Sequence, residues 1–167
     1  MRIPLIGSGE VPRRFQHRGP ASQYLDDKAT FSGDIFVRAE TYQEGGMLHL
    51  ELAFELPGQF VCDRCDQSFQ RKHRGSDVFY FSYAEFSGAR KDPEIPIIPK
   101  GATEIDVSQE VRDLVILSLP PQIFCSPDCK GLCPRCGANL NAETCRCTKD
   151  EMDPRWEALK GLRQEKP

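Results

Sequence analysis

The sequence predicts an α+β protein: an antiparallel β-meander with one packed helix, a Cys-rich zinc lobe and a short C-terminal helix. Three observations predict it. Leu48, Leu50, Leu52, Phe54, Leu56, Phe60 and Cys62 share one parity, the period-2 pattern of a long half-buried strand. Val107, Val111, Leu114 and Val115 fall near one stripe of a 3.6-residue period, widened by Leu117 and Leu119. Six of the eight cysteines lie between Cys125 and Cys147, in a stretch too poor in apolar residues to order itself without cross-links or metal.

At 167 residues the chain is long enough for one composite domain, 26–167, behind an arm at 1–25. Mean hydropathy is −0.49 and 28% of residues are charged, and no apolar run approaches membrane-spanning length. The apolar patch at the amino terminus is broken by Pro4 and is too short for a signal peptide. A soluble protein without a membrane partner is expected.

Residues 1–25 scatter Pro, Gly and Ser around the basic cluster Arg13, Arg14, His17 and Arg18, which suggests a solvated arm more than a phosphate site. The meander is placed at 31–84. Ile35, Val37 and Ala39 alternate with Phe36, Arg38 and Glu40, and Glu44-Gly-Gly46 supplies a turn. In the long strand that follows, Pro57-Gly58 predicts a bulge, and His49, on the opposite parity, is expected on the wet face as an inert residue. Phe69 and the run Val78-Phe-Tyr-Phe-Ser-Tyr83 make the return strand, so Cys62 and Cys65 sit at the tip of a hairpin.

Residues 85–103, rich in Gly, Pro and charge, suggest a surface loop. A helix over 106–119 should start with Asp106 as amino cap and Gln109 closing a capping box, lie on the apolar face of the sheet, and end at Pro120-Pro121. At 153–163 a short helix begins at Asp153-Pro154, with Trp156, Leu159 and Leu162 as its apolar stripe and a candidate docking face for a protein partner.

The lobe at 125–147 is completed by 62–65. In Cys133-Pro-Arg-Cys136-Gly137, two intervening residues let both thiolates point at one ion, and Gly137 tolerates the left-handed backbone of the turn. Cys62-Asp-Arg-Cys65-Asp66 has the same shape with a less comfortable Asp66. Closed structural zinc sites take four ligands, so eight cysteines predict two Zn²⁺ ions, each held by four thiolates. Loop length assigns Cys133, Cys136, Cys145 and Cys147 to one ion, leaving Cys62, Cys65, Cys125 and Cys129 for the other. Cys145-Arg-Cys147 must then sit in a turn, since a strand would face its side chains apart.

Other uses of the thiols fit less well. An iron–sulfur radical enzyme would match the spacing of Cys129, Cys133 and Cys136 but needs repeated βα units that are not visible. A disulfide framework suits a secreted chain, and redox thiols at Cys62 and Cys65 would want a helix amino terminus where the sequence reads as strand. No Ser-His-Asp, paired-carboxylate or phosphate-loop arrangement is apparent, so no enzyme is predicted. The formal net charge is −3, and two zinc-thiolate sites of about −2 each carry it towards about −7, so affinity for nucleic acid must come from local basic groups. The candidates flank the knuckles: Arg64, Arg71, Lys72, Arg74, Lys130 and Arg135.

Taken together, Cys62-x-Arg-Cys65, the helix from Ile105 to Pro120, the segment Cys129-Lys-Gly-Leu-Cys-Pro-Arg-Cys-Gly-Ala-Asn-Leu-Asn141, Cys145-Arg-Cys147 and Asp153-Pro-Arg-Trp-Glu-Ala-Leu159 resemble the bacterial YceD family. The likeness runs in order from Cys62 to Leu159; the arm lies outside it, and Asp66 stands where the family commonly has Leu. The resemblance implies a cytoplasmic, non-catalytic protein needed for accumulation of large-subunit ribosomal RNA, with that RNA or pre-ribosomal particles as partner. A zinc-stabilised protein–protein adaptor is the alternative, and a redox or iron–sulfur enzyme a more distant one. Colour separates the last, because zinc protein is colourless.

Overall fold

A computed structural model describes residues 1–5, 11–27, 29–84, 95–147 and 155. The chain forms two compact units, Met1–Asp63 with Gln67–Cys125, and Arg64–Asp66 with Ser126–Pro167. The expected C-terminal helix at 153–163 and most of the loop at 85–103 lie outside the described residues.

The first unit is a mostly antiparallel sheet with one helix. Its strands are β1 (Arg2–Pro4), β2 (Arg13–Pro20), β3 (Asp34–Glu44), β4 (Met47–Val61), β5 (Ser68–Tyr83), β6 (Ile97–Ile98) and β7 (Glu104–Asp106), followed by α1 (Ser108–Leu117). β2 to β6 form one sheet in sequence order, antiparallel except for the β5–β6 pair, while β1 and β7 pair separately.

The alternation read from the sequence appears as burial. Ile35, Val37 and Ala39 of β3 and Leu48, Leu50, Leu52 and Leu56 of β4 turn to the core and are essentially inaccessible. Each buried Leu favours the folded state by about 2 kcal/mol over exposure, so this one face supplies much of the driving force. Gly45 and Gly46, at φ 60° and 80°, make the two-residue turn that joins β3 to β4 in register Glu44↔Met47.

The predicted bulge is absent: the β4–β5 register runs without offset from Met47↔Ser82 to Val61↔Ser68. Gln59, two residues beyond Pro57 and therefore aimed to the same side, donates its N–H to the Thr30 carbonyl at 2.8 Å and not to β5. The nitrogen of Pro57 faces that side too, where a missing donor costs the β4–β5 ladder nothing.

Residues 1–25, expected as an arm, instead contribute β1 and β2. Ile3, Leu5, Ala21, Tyr24 and Leu25 are buried in the core. The basic cluster is half of a cross-strand arrangement, with Arg14 opposite Glu40 and bonded to it at 2.7 Å, and Arg18 bonded diagonally to Asp34 at 3.1 Å. Pairing partners so far along the chain left no local signal.

α1 lies against β5, buries Val111, Leu114 and Val115, and is shorter than the expected 106–119. No capping box forms. Asp106 belongs to β7, opposite Arg2, and accepts from the Ser108 N–H at 3.0 Å, while the Gln109 amide donates to Asp113. Within 85–103, the described residues include β6, whose Ile98 is buried and joins the core.

Candidate metal centres

The β4–β5 hairpin tip sets the first knuckle. The Cys62 N–H donates to the Gln67 carbonyl at 3.0 Å, closing a turn that holds Asp66 at φ 55°, the only described non-glycine residue at positive φ. Asp63 fastens the chain that leads to Cys125: its N–H donates to the Ile123 carbonyl at 2.9 Å, and its carboxylate accepts from the Ile123 N–H.

In the second unit, Arg64 donates from Nη1 to the Cys129 carbonyl at 3.2 Å, and its own carbonyl accepts from the Leu132 N–H at 2.9 Å. Gly131, at φ 77°, lets the chain pass: a Cβ there would stand 3.0 Å from the Arg64 carbonyl oxygen. Cys133 repeats the knuckle, donating its N–H to Ala138 and accepting from Gly137, which has φ 73°. Leu132 bridges Asn139 across this turn.

These turns bring together the two sets of four that the spacing suggested. The ligand atoms of Cys62, Cys65, Cys125 and Cys129 lie within 4.8 Å of one another, as do those of Cys133, Cys136, Cys145 and Cys147. A tetrahedral ion with metal–sulfur bonds of about 2.3 Å sets its sulfurs about 3.8 Å apart, so both groups have the size and donor chemistry to hold a metal. Cys136 and Cys145 stand 3.8 Å apart. Cys145-Arg-Cys147 is not part of a strand, and the Cys147 N–H folds back onto Cys145 Sγ at 3.3 Å. Asn141 donates a side-chain N–H to Cys129 Sγ at 3.3 Å, the kind of outer contact that steadies a thiolate ligand.

The second group carries an electrostatic conflict that a cation resolves. The backbone N–H groups of Cys136 and Arg135, with the Cys145 thiol, draw the Cys133 thiol down to about 6, while its cysteine neighbours, Cys145 foremost, push Cys147 up to about 12. One thiolate forms easily and opposes the next. A divalent ion removes that opposition.

The six basic candidates are divided between the two units. Arg64 lies in the second unit and is engaged with backbone carbonyls, as above. Lys130 and Arg135 are exposed there, and the Lys130 N–H is held by Asn141 Oδ1 at 2.8 Å. On β5, alternation splits the remaining three. Lys72 and Arg74 share one face and one partner, Glu55, at 2.6 and 2.7 Å, and these two bonds hold the Glu55 carboxyl below its usual range. Arg71 is on the other face, its guanidinium 5.6 Å from the centre of the Phe60 ring.

Between them is a residue the sequence reading missed. His73 is buried among Phe31, Phe54 and Phe60, with Nε2 3.2 Å from the Val115 carbonyl and 3.0 Å from Ser118 Oγ. Its parity with Phe69 and Phe81 was the available signal, masked by three basic neighbours. The Trp156 docking face lies outside the described residues, among which no helix is long and apolar enough to cross a membrane.

No solved structure matches the chain. Among curated proteins, it is 42% identical over 67 residues to a chloroplastic "Large ribosomal RNA subunit accumulation protein YCED homolog 1" of Arabidopsis thaliana, covering 40% of this chain and 21% of the relative. A maize protein of the same name is 46% identical over 50 residues, 29% of this chain and 17% of the relative. An uncharacterised protein of Mycobacterium tuberculosis is 30% identical over 126 residues, 75% of this chain and 59% of the relative. The chain thus spans less than two thirds of the length of each. The family described as "Large ribosomal RNA subunit accumulation protein YceD" matches residues 49–163, which takes in most of β4, all of β5 and α1, and all eight cysteines, and the chain belongs to that family.

Proposed function

We propose that this protein is a non-catalytic zinc-binding factor for large-subunit ribosomal RNA accumulation, working in the cytoplasm through contact with that RNA or with pre-ribosomal particles. The observation that carries the metal half is the convergence of eight thiols into two groups of four. All-thiolate, four-coordinate sites favour zinc and leave no open position for catalysis, so the metal's part is structural. The family name supports the ribosomal half and describes accumulation, not a reaction.

Zinc-held knuckles present rigid backbone turns with basic side chains at their rims, a form suited to phosphate contact. Arg64, Lys130 and Arg135 in the second unit, and Arg71, Lys72 and Arg74 in the first, are the residues we assign to that contact. The ion pairs of Lys72 and Arg74 with Glu55 are exposed and worth little, so a phosphate can replace the carboxylate.

Titration of purified protein with large-subunit ribosomal RNA at several salt concentrations tests the reading. The logarithm of the affinity should fall linearly with that of the salt concentration, and replacing Arg71, Lys72 and Arg74 together by Gln should reduce the slope by about 2 to 3. Absence of RNA binding by the unaltered protein would overturn direct contact and leave association with pre-ribosomal protein as the route.

A further inference from the structure

The face of the sheet opposite the core carries more chemistry than a solvated surface requires. Following the registers across β2, β3, β4 and β5 places its side chains in tiers. Tyr42, His49 and Tyr80 form one. Arg14, Glu40, Glu51 and Val78 form the next, then Gln16, Arg38, Ala53 and Ser76, then Arg18, Phe36, Glu55 and Arg74.

The first tier is aromatic and continuous. His49 stacks on Tyr42 with ring centres 4.5 Å apart and meets Tyr80 edge-on at 5.0 Å, and Tyr80 remains 45% exposed. Two tiers on, Arg38 lies over the ring of Phe36 at 5.8 Å, and no carboxylate pairs with Arg38 among the described residues. Its tier neighbours towards β5, Ala53 and Ser76, are small, and grooves open beside Arg38. One groove of about 640 Å³ runs past Arg18, Asp34, Phe36, Arg38, Glu55 and Lys72, and another of about 470 Å³ past Arg14, Arg38, Glu40, Glu51 and Ser76, so each carries acidic as well as basic groups.

Rings that reach the sheet surface, Tyr80 exposed and Phe36, Tyr42 and His49 half-buried, interleaved with cations and separated by shallow grooves, match the chemistry of an unpaired nucleotide strand, which offers a π-face at every base and a phosphate between bases. A duplex hides its bases and offers phosphates alone. On the four tiers, Arg14, Arg18, Arg38 and Arg74 face Glu40, Glu51 and Glu55, a nearly balanced charge that attracts a polyanion weakly. Whatever this face holds must be recognised by stacking as much as by charge.

We infer that the open face of the β2–β5 sheet is a docking surface for single-stranded RNA, with bases stacking on the Tyr42–His49–Tyr80 tier and on Phe36, and with the Arg38 guanidinium leaving the Phe36 ring to meet phosphate between them. The inference rests on the proposed RNA contact and assigns it a surface that includes, of the basic residues named for that contact, only Lys72 and Arg74. Glu51 and Glu40 bound the basic track next to the aromatic tier and would disfavour a phosphate there.

The test uses the full chain, zinc-loaded, with a short fluorescein-labelled single-stranded RNA of mixed sequence and the same strand annealed to its complement. The single strand should bind more tightly than the duplex. Tyr80→Ala and Phe36→Ala should each weaken single-strand binding by roughly 5- to 100-fold, the range for loss of one base–aromatic stack. Tyr80→Phe should restore it, since the ring and not the hydroxyl is used, and this separates stacking from a folding defect. Arg38→Gln should lower the salt slope by about 0.7. Binding that ignores all of these substitutions but falls with Arg64, Lys130 and Arg135 would overturn the open-face assignment and leave the RNA reading standing. No binding of either probe, or of large-subunit RNA, would overturn both, and a protein held at the tyrosine tier in their place would identify the face as a protein interface.

Discussion

The two units of this chain are ordered by different physical means. In the first, alternating apolar residues from β3 and β4, together with α1, close a core that includes Leu48, Leu50, Leu52, Val111 and Val115, all essentially inaccessible. In the second, the buried side chains among the described residues are cysteines, and what apolar residues there are, such as Leu132 at 40% exposure, stay near the surface. A segment with so little to bury cannot offset its conformational entropy by the hydrophobic effect, so its order is expected to come from its turns and from the metal its cysteine groups could hold. The two units are therefore expected to draw their stability from separate sources, so that removing one should leave the other.

The largest expected effect is metal removal. Structural zinc contributes on the order of 10 kcal/mol or more in small zinc-finger peptides. Chelation should therefore abolish amide protection at residues 129–142 while that of β3 and β4 persists, as read by hydrogen exchange. Elemental analysis before chelation should give about two zinc ions per chain. Cys62→Ser should remove one of them and leave the Cys133 group loaded. A sheet that melts with chelation would break the comparison.

The reverse perturbation comes next. Leu52→Ala opens a cavity in the sheet core and should lower the stability of the first unit to urea by about 2–5 kcal/mol, with zinc content unchanged. Loss of zinc in this variant would show that the lobe depends on the core.

Gly131→Ala sharpens the view that turns prepare the lobe. It forces a Cβ to within 3.0 Å of the Arg64 carbonyl in a left-handed conformation, which costs about 1–2 kcal/mol. Zinc affinity measured by chelator competition should fall by about 5- to 30-fold, and the urea transition of the sheet should not move.

The smallest effect concerns pH. Burial lowers the pKa of His73 from 6.5, with the Val115 carbonyl opposing and the Arg71 charge adding. The unfolded chain therefore takes up this proton near 6.5 while the folded unit resists it, so the stability His73 contributes is complete above 6.5 and declines as pH falls below that value. Urea midpoints on either side of 6.5 should show the decline, and His73→Gln should flatten it. An equal decline in the variant would assign the dependence elsewhere.

Much of this was legible in the sequence because it is local. The parity of Leu48 to Phe60 and the stripe of Val111, Leu114 and Val115 report strand and helix faces directly, since Cβ direction follows from backbone geometry alone. The two-residue spacing in Cys62-Asp-Arg-Cys65 and Cys133-Pro-Arg-Cys136 likewise specifies a knuckle whatever surrounds it. Gly137 and Asp66 mark the left-handed positions these turns need, and both take that conformation.

What only the tertiary structure decided depends on residues far apart in the chain. Arg14 and Arg18 look like part of a basic arm until Glu40 and Asp34 stand beside them, and then they belong to a sheet. Asp106 has the sequence of a helix cap, but its pairing opposite Arg2 draws it into a strand. His73 carries the signature of an exposed basic strand until α1 crosses β5 and brings the Val115 carbonyl and Ser118 to its ring. The open face, where Arg38 covers Phe36 and Tyr42, His49 and Tyr80 make one tier, exists only through the register of three strands. Backbone geometry determines which way a side chain points, and it is strand order and register, set by burial over the whole unit, that determine what it meets there.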